Sequence, residues 1–114
     1  MLNSGDVVEL DLGIPSGREA GFRHPAVVVT AQRILDASPS VIQVVPLTTA
    51  LRGFGSEVAI DPTALSGLDR PSAAQCQHMR AVSVARVDRV TGNVGGVALA
   101  QIRETLSLIL DIPS

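Results

Sequence analysis

The sequence predicts a mainly β fold, a small barrel or compact sheet closed by one C-terminal α-helix, and three observations predict it. Short apolar runs of strand length recur along the chain, separated by Gly-, Pro- and Ser-rich turns. The first of them alternates polar and apolar residues, as a half-buried strand does. Only near the end does the apolar spacing change to the three-and-four pattern of a helix.

Taken in order, Asp6 to Leu12 is the alternating strand, and the loop Gly13 to Gly21 follows it. Loops of that length in small domains are uncommon unless functional. Pro25 to Thr30 reads as a buried second strand with Pro as its first residue. A polar stretch, Gln32 to Ser40, leads to a third strand at Val41 to Leu47, and a turn through Arg52-Gly53 to a fourth at Glu57 to Ile60. These two are expected to pair as a hairpin. Asp61 to Leu65 could make one helical turn, and strands five and six are expected at Ser72 to Gln77 and Arg80 to Ser83. Thr91 to Gly96 is a turn-rich stop before the amphipathic helix, whose apolar stripe is Leu99, Ile102, Leu106, Ile109 and Leu110. Its expected role is to cover an open end of the sheet.

Size and composition narrow the function classes. At 114 residues with 46% apolar content the chain has room for one core, so residues 1–114 are read as one domain. No apolar run reaches the ~20 residues of a membrane span. The N-terminus has no basic start typical of a secretory signal. The lone Cys76 can form no intramolecular disulfide, which fits a reducing, cytoplasmic setting. All nine basic residues are Arg, the side chain whose planar fork suits phosphate, against eleven carboxylates and a net charge of -2. That balance disfavours a general DNA-coating protein but allows a local basic groove. Phe22 and Phe54, the only aromatic residues, both fall in Gly-rich loop segments, as packing plugs or as rings that could stack on a base.

His24, His78 and Cys76 stand at no metal-ligand spacing, and neither a phosphate-binding Gly loop nor a G-x-S-x-G elbow is present. No metal and no cofactor are expected. The remaining candidates are polar residues at loop mouths and strand ends: Arg18, Glu19, Arg23, His24, Thr48, Thr49, Arg52, Gln77, His78 and Arg80. Together His, Arg and a hydroxyl could supply a base, an acid and cations for charge developing on a phosphate without a metal.

Three blocks, in order, resemble the MazF/PemK toxins. Gly5 to Thr30 (GDVVELDLGIPSGREAGFRHPAVVVT) is similar to that family's opening strand, G-x-E-x-x-G loop and Arg-Pro start of an apolar second strand. Val44 to Ile60 (VVPLTTALRGFGSEVAI) resembles its Pro-x-Thr-Thr segment with a basic-Gly turn, and Ala73 to Val82 (AAQCQHMRAV) its polar-Gln-x-basic motif. The resemblance implies an SH3-like barrel of the CcdB/MazF/Kid type with a C-terminal helix. It further implies a homodimer that cuts single-stranded RNA to 2',3'-cyclic phosphate and 5'-hydroxyl ends, restrained by a MazE-like antitoxin.

The family's catalytic pair is an Arg directly before the second-strand Pro and a Thr closing the third strand. Thr48 matches the Thr. Directly before Pro25 stands His24, with Arg23 one residue earlier. Either Arg23 takes the family role through a local shift, the reading placed first, or His24 shuttles the proton while Arg23 contacts phosphate. Arg18, Glu19, Thr49, Arg52, Gln77, His78 and Arg80 are the implied RNA contacts. Where relatives carry Asp then Gln, this chain has Gln77 then His78, which bears on base preference. Two alternatives stand beside the ribonuclease: a CcdB-like gyrase poison, against which the absence of an aromatic C-terminus counts, and a noncatalytic barrel that binds RNA or a partner.

Overall fold

The computed structural model describes residues 1–12 and 23–113. Its strands are β1 (Asp6–Asp11), β2 (Arg23–Val28), β3 (Val41–Thr48), β4 (Glu57–Ile60), β5 (Ser72–Gln75), β6 (Arg80–Ser83) and β7 (Val87–Asn93). The helices are α1 (Gln32–Leu35) and α2 (Gly95–Ile109). The strands run antiparallel in the order β4-β5-β3-β2-β1-β7, with β6 also paired to β3.

The central strands are apolar on both faces because both faces are buried. Val7, Val27, Val45 and Leu47 belong to one core, where Ile102 and Leu106 of α2 join Val58, Ile60 and Cys76. Val8, Leu10, Ala26, Val28, Ile42 and Val44 belong to the other, closed by Leu35 of α1 and Val82 of β6. Ile102 is fully buried. Replacing it with Ala should therefore cost about 2–5 kcal/mol, read as a lower urea midpoint with unchanged slope.

β3 is the organising strand. One edge pairs with β2; the other is shared, with β6 along Val41 to Val44 and β5 along Leu47 and Thr48. A 3-10 turn at Cys76–His78 carries the chain from β5 to β6 across that change of partner. Gln75, Gln77, His78 and Arg80 are thus gathered at one place in the sheet.

Several expectations need correction. β3 and β4 are not a hairpin, because β5 lies between them and pairs with both. β7 is a strand where the sequence predicts only a turn-rich stop; none of its residues is fully buried, and its ladder with β1 shifts register twice, so no period-2 signal marks it. β2 begins at Arg23, with Pro25 its third residue. Part of the polar stretch after it forms α1. α2 begins at Gly95, and its buried stripe ends at Leu106, leaving Ile109 and Leu110 exposed. It packs mainly against β4, which ends the strand order, and against the turn at Cys76–His78. No helix among the described residues is long and apolar enough to cross a membrane.

Candidate active site

The site begins with the regularity of β2. Its ladder with β1 is in register to the end, Leu10 opposite His24 and Asp11 opposite Arg23. Successive side chains on a strand point to opposite faces, so Arg23 and His24 are separated by the sheet. They line different cavities.

His24 opens into a cavity of about 360 Å³ whose polar lining is Gln75, His78 and Arg80, with Leu10, Val44 and Pro46 as apolar walls. Two imidazoles and a guanidinium converge there, and among the described residues no carboxylate lines the cavity. Such a lining attracts an anion. Burial, with the positive charge of Arg80 as the smaller cause, lowers the His24 pKa below the ordinary imidazole value of 6.5. His24 is therefore neutral at pH 7 and can accept a proton.

Thr48 belongs to the same face. The β2–β3 pairing ends at Ala26 and Pro46; along β3, Thr48 lies two residues beyond Pro46, a wall of the His24 cavity, so strand alternation puts the two on one face. The Thr48 hydroxyl oxygen accepts from the Ala50 N–H at 3.1 Å, leaving its proton as the group it can donate.

Arg23 opens on the other face. It is ion-paired with Asp88, and its cavity, about 390 Å³, is also lined by Glu9, Thr49, Asp69, Arg70 and Arg89. Arg89 holds Glu9 with two hydrogen bonds of 3.0 Å. Carboxylates largely neutralise the guanidinium groups here, which sets this cavity apart from that of His24.

The other expected contacts are dispersed. Thr49 lines the Arg23 cavity. Arg52 donates to Glu57 Oε2 at 3.0 Å and lies over the Phe54 ring at 4.9 Å. Gln77 Nε2 donates to the same carboxylate oxygen at 2.8 Å. Arg18, Glu19 and Phe22 fall outside the described residues. Glu57, the shared partner of Arg52 and Gln77, had no distinguishing signal in the sequence, where it reads as the polar first residue of a strand. Among the described residues, no three His, Cys, Asp or Glu side chains cluster in a way that could hold a metal ion.

The arrangement of strands is that of known toxin structures. The MazE-MazF complex (Form-II) from Deinococcus radiodurans superposes with a TM-score of 0.81 at 23% identity, covering 98% of this chain and 97% of that one. The Mycobacterium tuberculosis toxin MazF-mt6 superposes with a TM-score of 0.77 at 21% identity, covering 96% and 99%. In sequence, the chain is 32% identical over 117 residues to Endoribonuclease MazF9 of Mycobacterium tuberculosis, covering 98% of each. The profile of PemK-like, MazF-like toxins of type II toxin-antitoxin systems matches residues 3–110. This chain belongs to that family of RNA-cleaving toxins.

Proposed function

We propose that this chain is the toxin of a type II toxin-antitoxin pair, one domain of residues 1–114 that cleaves single-stranded RNA at the His24 cavity without a metal. The cavity lining carries the reading: two imidazoles and a guanidinium around one space, with no carboxylate among its described residues. Neutral His24 takes the proton of a 2'-hydroxyl, and the freed oxygen attacks the adjacent phosphorus. Arg80 and the Thr48 hydroxyl hold the charge that gathers on the phosphorane oxygens. As the bond from phosphorus to the 5'-oxygen breaks, His78 donates a proton to that oxygen. A 2',3'-cyclic phosphate and a 5'-hydroxyl remain.

His24 rather than Arg23 takes the catalytic position in this assignment, because Arg23 faces the other cavity and is held by Asp88. The homodimer, the disordered acidic antitoxin segment that an Arg-bearing groove suits, and a cytoplasmic location belong to the same reading. Antitoxin complexes of relatives support the partner, as in the mycobacterial endoribonuclease solved with its cognate antitoxin.

The test is digestion of single-stranded RNA by the purified protein in excess EDTA, with the new ends identified chemically. Cleavage with cyclic-phosphate ends is expected, and Arg80→Ala should lower the rate by ~10²–10³-fold, the range for loss of one charge-stabilising donor. RNA left intact by the wild type would overturn the reading and leave a noncatalytic binding barrel.

A further inference from the structure

Beside the His24 cavity lies a carboxylate that the cleavage chemistry does not use. The Glu57 side chain is only 2% exposed, although Glu57 opens a short strand. Its Oε2 accepts from Gln77 Nε2 at 2.8 Å, Arg52 Nη2 at 3.0 Å and, weakly, Gln75 Nε2 at 3.4 Å. Its Oε1 is buried and has no hydrogen-bond partner among the described residues. These hydrogen bonds, that of Gln77 foremost, outweigh burial and hold the Glu57 pKa below the ordinary carboxylate value, so the group is ionised at neutral pH.

An ionised carboxylate only accepts hydrogen bonds, so it decides which end of a neighbouring amide faces it. A free glutamine can turn its oxygen or its nitrogen toward a ligand at little cost. Gln77 cannot: turning its oxygen to Glu57 would set two acceptors against each other and strip a donor from a carboxylate that already has one oxygen unpartnered. With one N–H held by Glu57, Gln77 keeps a carbonyl acceptor and one further N–H donor for another molecule. Gln77 is itself exposed, and it precedes His78, which lines the His24 cavity.

We propose that Glu57 is a positioning residue for base preference: by holding the Gln77 nitrogen, it makes Gln77 read an amino-bearing base next to the cleaved phosphate. Adenine and cytosine present an exocyclic amino donor beside an unprotonated ring nitrogen, which matches the carbonyl and remaining N–H of Gln77. Guanine and uracil present an oxo group beside a ring N–H, which is the reverse. This rests on the ribonuclease reading and adds to it the class of base selected and the residue that enforces the choice.

Glu57→Gln supplies an amide that both donates and accepts, so Gln77 becomes free to turn. The experiment is digestion of an RNA pool randomised around the cut, sequencing the ends produced by wild type, Glu57→Gln and Gln77→Ala. The preference is a ratio within one digestion, so it does not depend on how much of a variant is folded. Wild type should favour adenine or cytosine over guanine and uracil by about tenfold at one position flanking the cut, and both variants should reduce this to about threefold or less. If Glu57→Gln gives no cleavage at all, Gln77→Ala, a change at an exposed side chain, carries the test. An unaltered preference in Gln77→Ala, or in an active Glu57→Gln, would overturn the proposal, as would a wild type with no amino-base preference at any position. Failure of the wild type to cut any RNA overturns the ribonuclease reading itself, a result distinct from cleavage without the predicted preference.

Discussion

His24→Ala should reduce RNA cleavage by ~10²–10⁴-fold, the contribution usual for a general base placed at the reacting proton. The loss should appear in the rate of the chemical step, since His24 makes up only part of the cavity lining and Arg80 remains to bind phosphate. Arg23→Ala should stay within a few-fold of wild type in the same assay, because its guanidinium is on the opposite face with Asp88. The reverse outcome, with Arg23→Ala inactive and His24→Ala active, would move the site to the other cavity.

The pH profile tests the same residue without deleting it. A general base works only when unprotonated, so activity falls as pH drops through its pKa. Burial and Arg80 lower that of His24, so the acid limb of kcat/KM should lie below 6.5 and activity should no longer rise through it near pH 7. Arg80→Gln removes the smaller of the two causes. Its residual activity should show the acid limb shifted upward, toward the ordinary imidazole range.

The sequence foretold the strands whose patterns are local and missed relations that depend on register. β1 declares itself by alternation, and β2 and β3 by apolar runs buried on both faces. β7 is hidden because none of its residues is fully buried and its ladder with β1 is twice interrupted. In the candidate site, the residue types were visible as His24, Thr48, His78 and Arg80. Which of Arg23 and His24 shares a face with Thr48 was not, since that depends on β2 being regular from its first residue and on its pairing with β3. Glu57 was least legible. A glutamate at the start of a strand ordinarily meets water, and this one is buried by Arg52 from the preceding turn and by Gln75 and Gln77, some twenty residues further along.

Gly92→Ala should be strongly destabilising, because two backbones cross there with no room between them. Residues 61–68 form a compact turn around the buried Ser66, whose hydroxyl accepts from the Thr63 N–H at 2.9 Å and donates to the Asp61 carbonyl at 3.0 Å. This turn lies directly on β7, and Asn93 N–H donates to the Leu65 carbonyl at 2.7 Å. A Cβ at Gly92 would stand 2.5 Å from that carbonyl oxygen and closer still to the Ser66 carbonyl. Across the crossing, a Cβ at Gly67 would collide with the Thr91 carbonyl, and Gly67 has a φ of +69°, which disfavours any side chain. Main chain cannot rotate aside as a flexible side chain can, so relief requires parting the turn from β7 and losing the Asn93–Leu65 hydrogen bond. Overpacking and the lost bond together should cost about 3 kcal/mol or more, a fall in Tm of about 10 °C or more. Gly96→Ala is the matched control: nothing lies within 4 Å of its Cβ position, it sits inside α2, and Ala should leave Tm equal or slightly higher. A Gly92→Ala protein melting within about 2 °C of wild type would refute the close crossing, given that ~1 kcal/mol moves Tm by several degrees at this size. Because Gly67, Asp69, Arg70 and Thr91 line the Arg23 cavity and none of them lines that of His24, the folded fraction of Gly92→Ala should retain its cleavage rate below its Tm. A selective loss of catalysis in that folded fraction would instead place the reacting phosphate on the Arg23 side of the sheet.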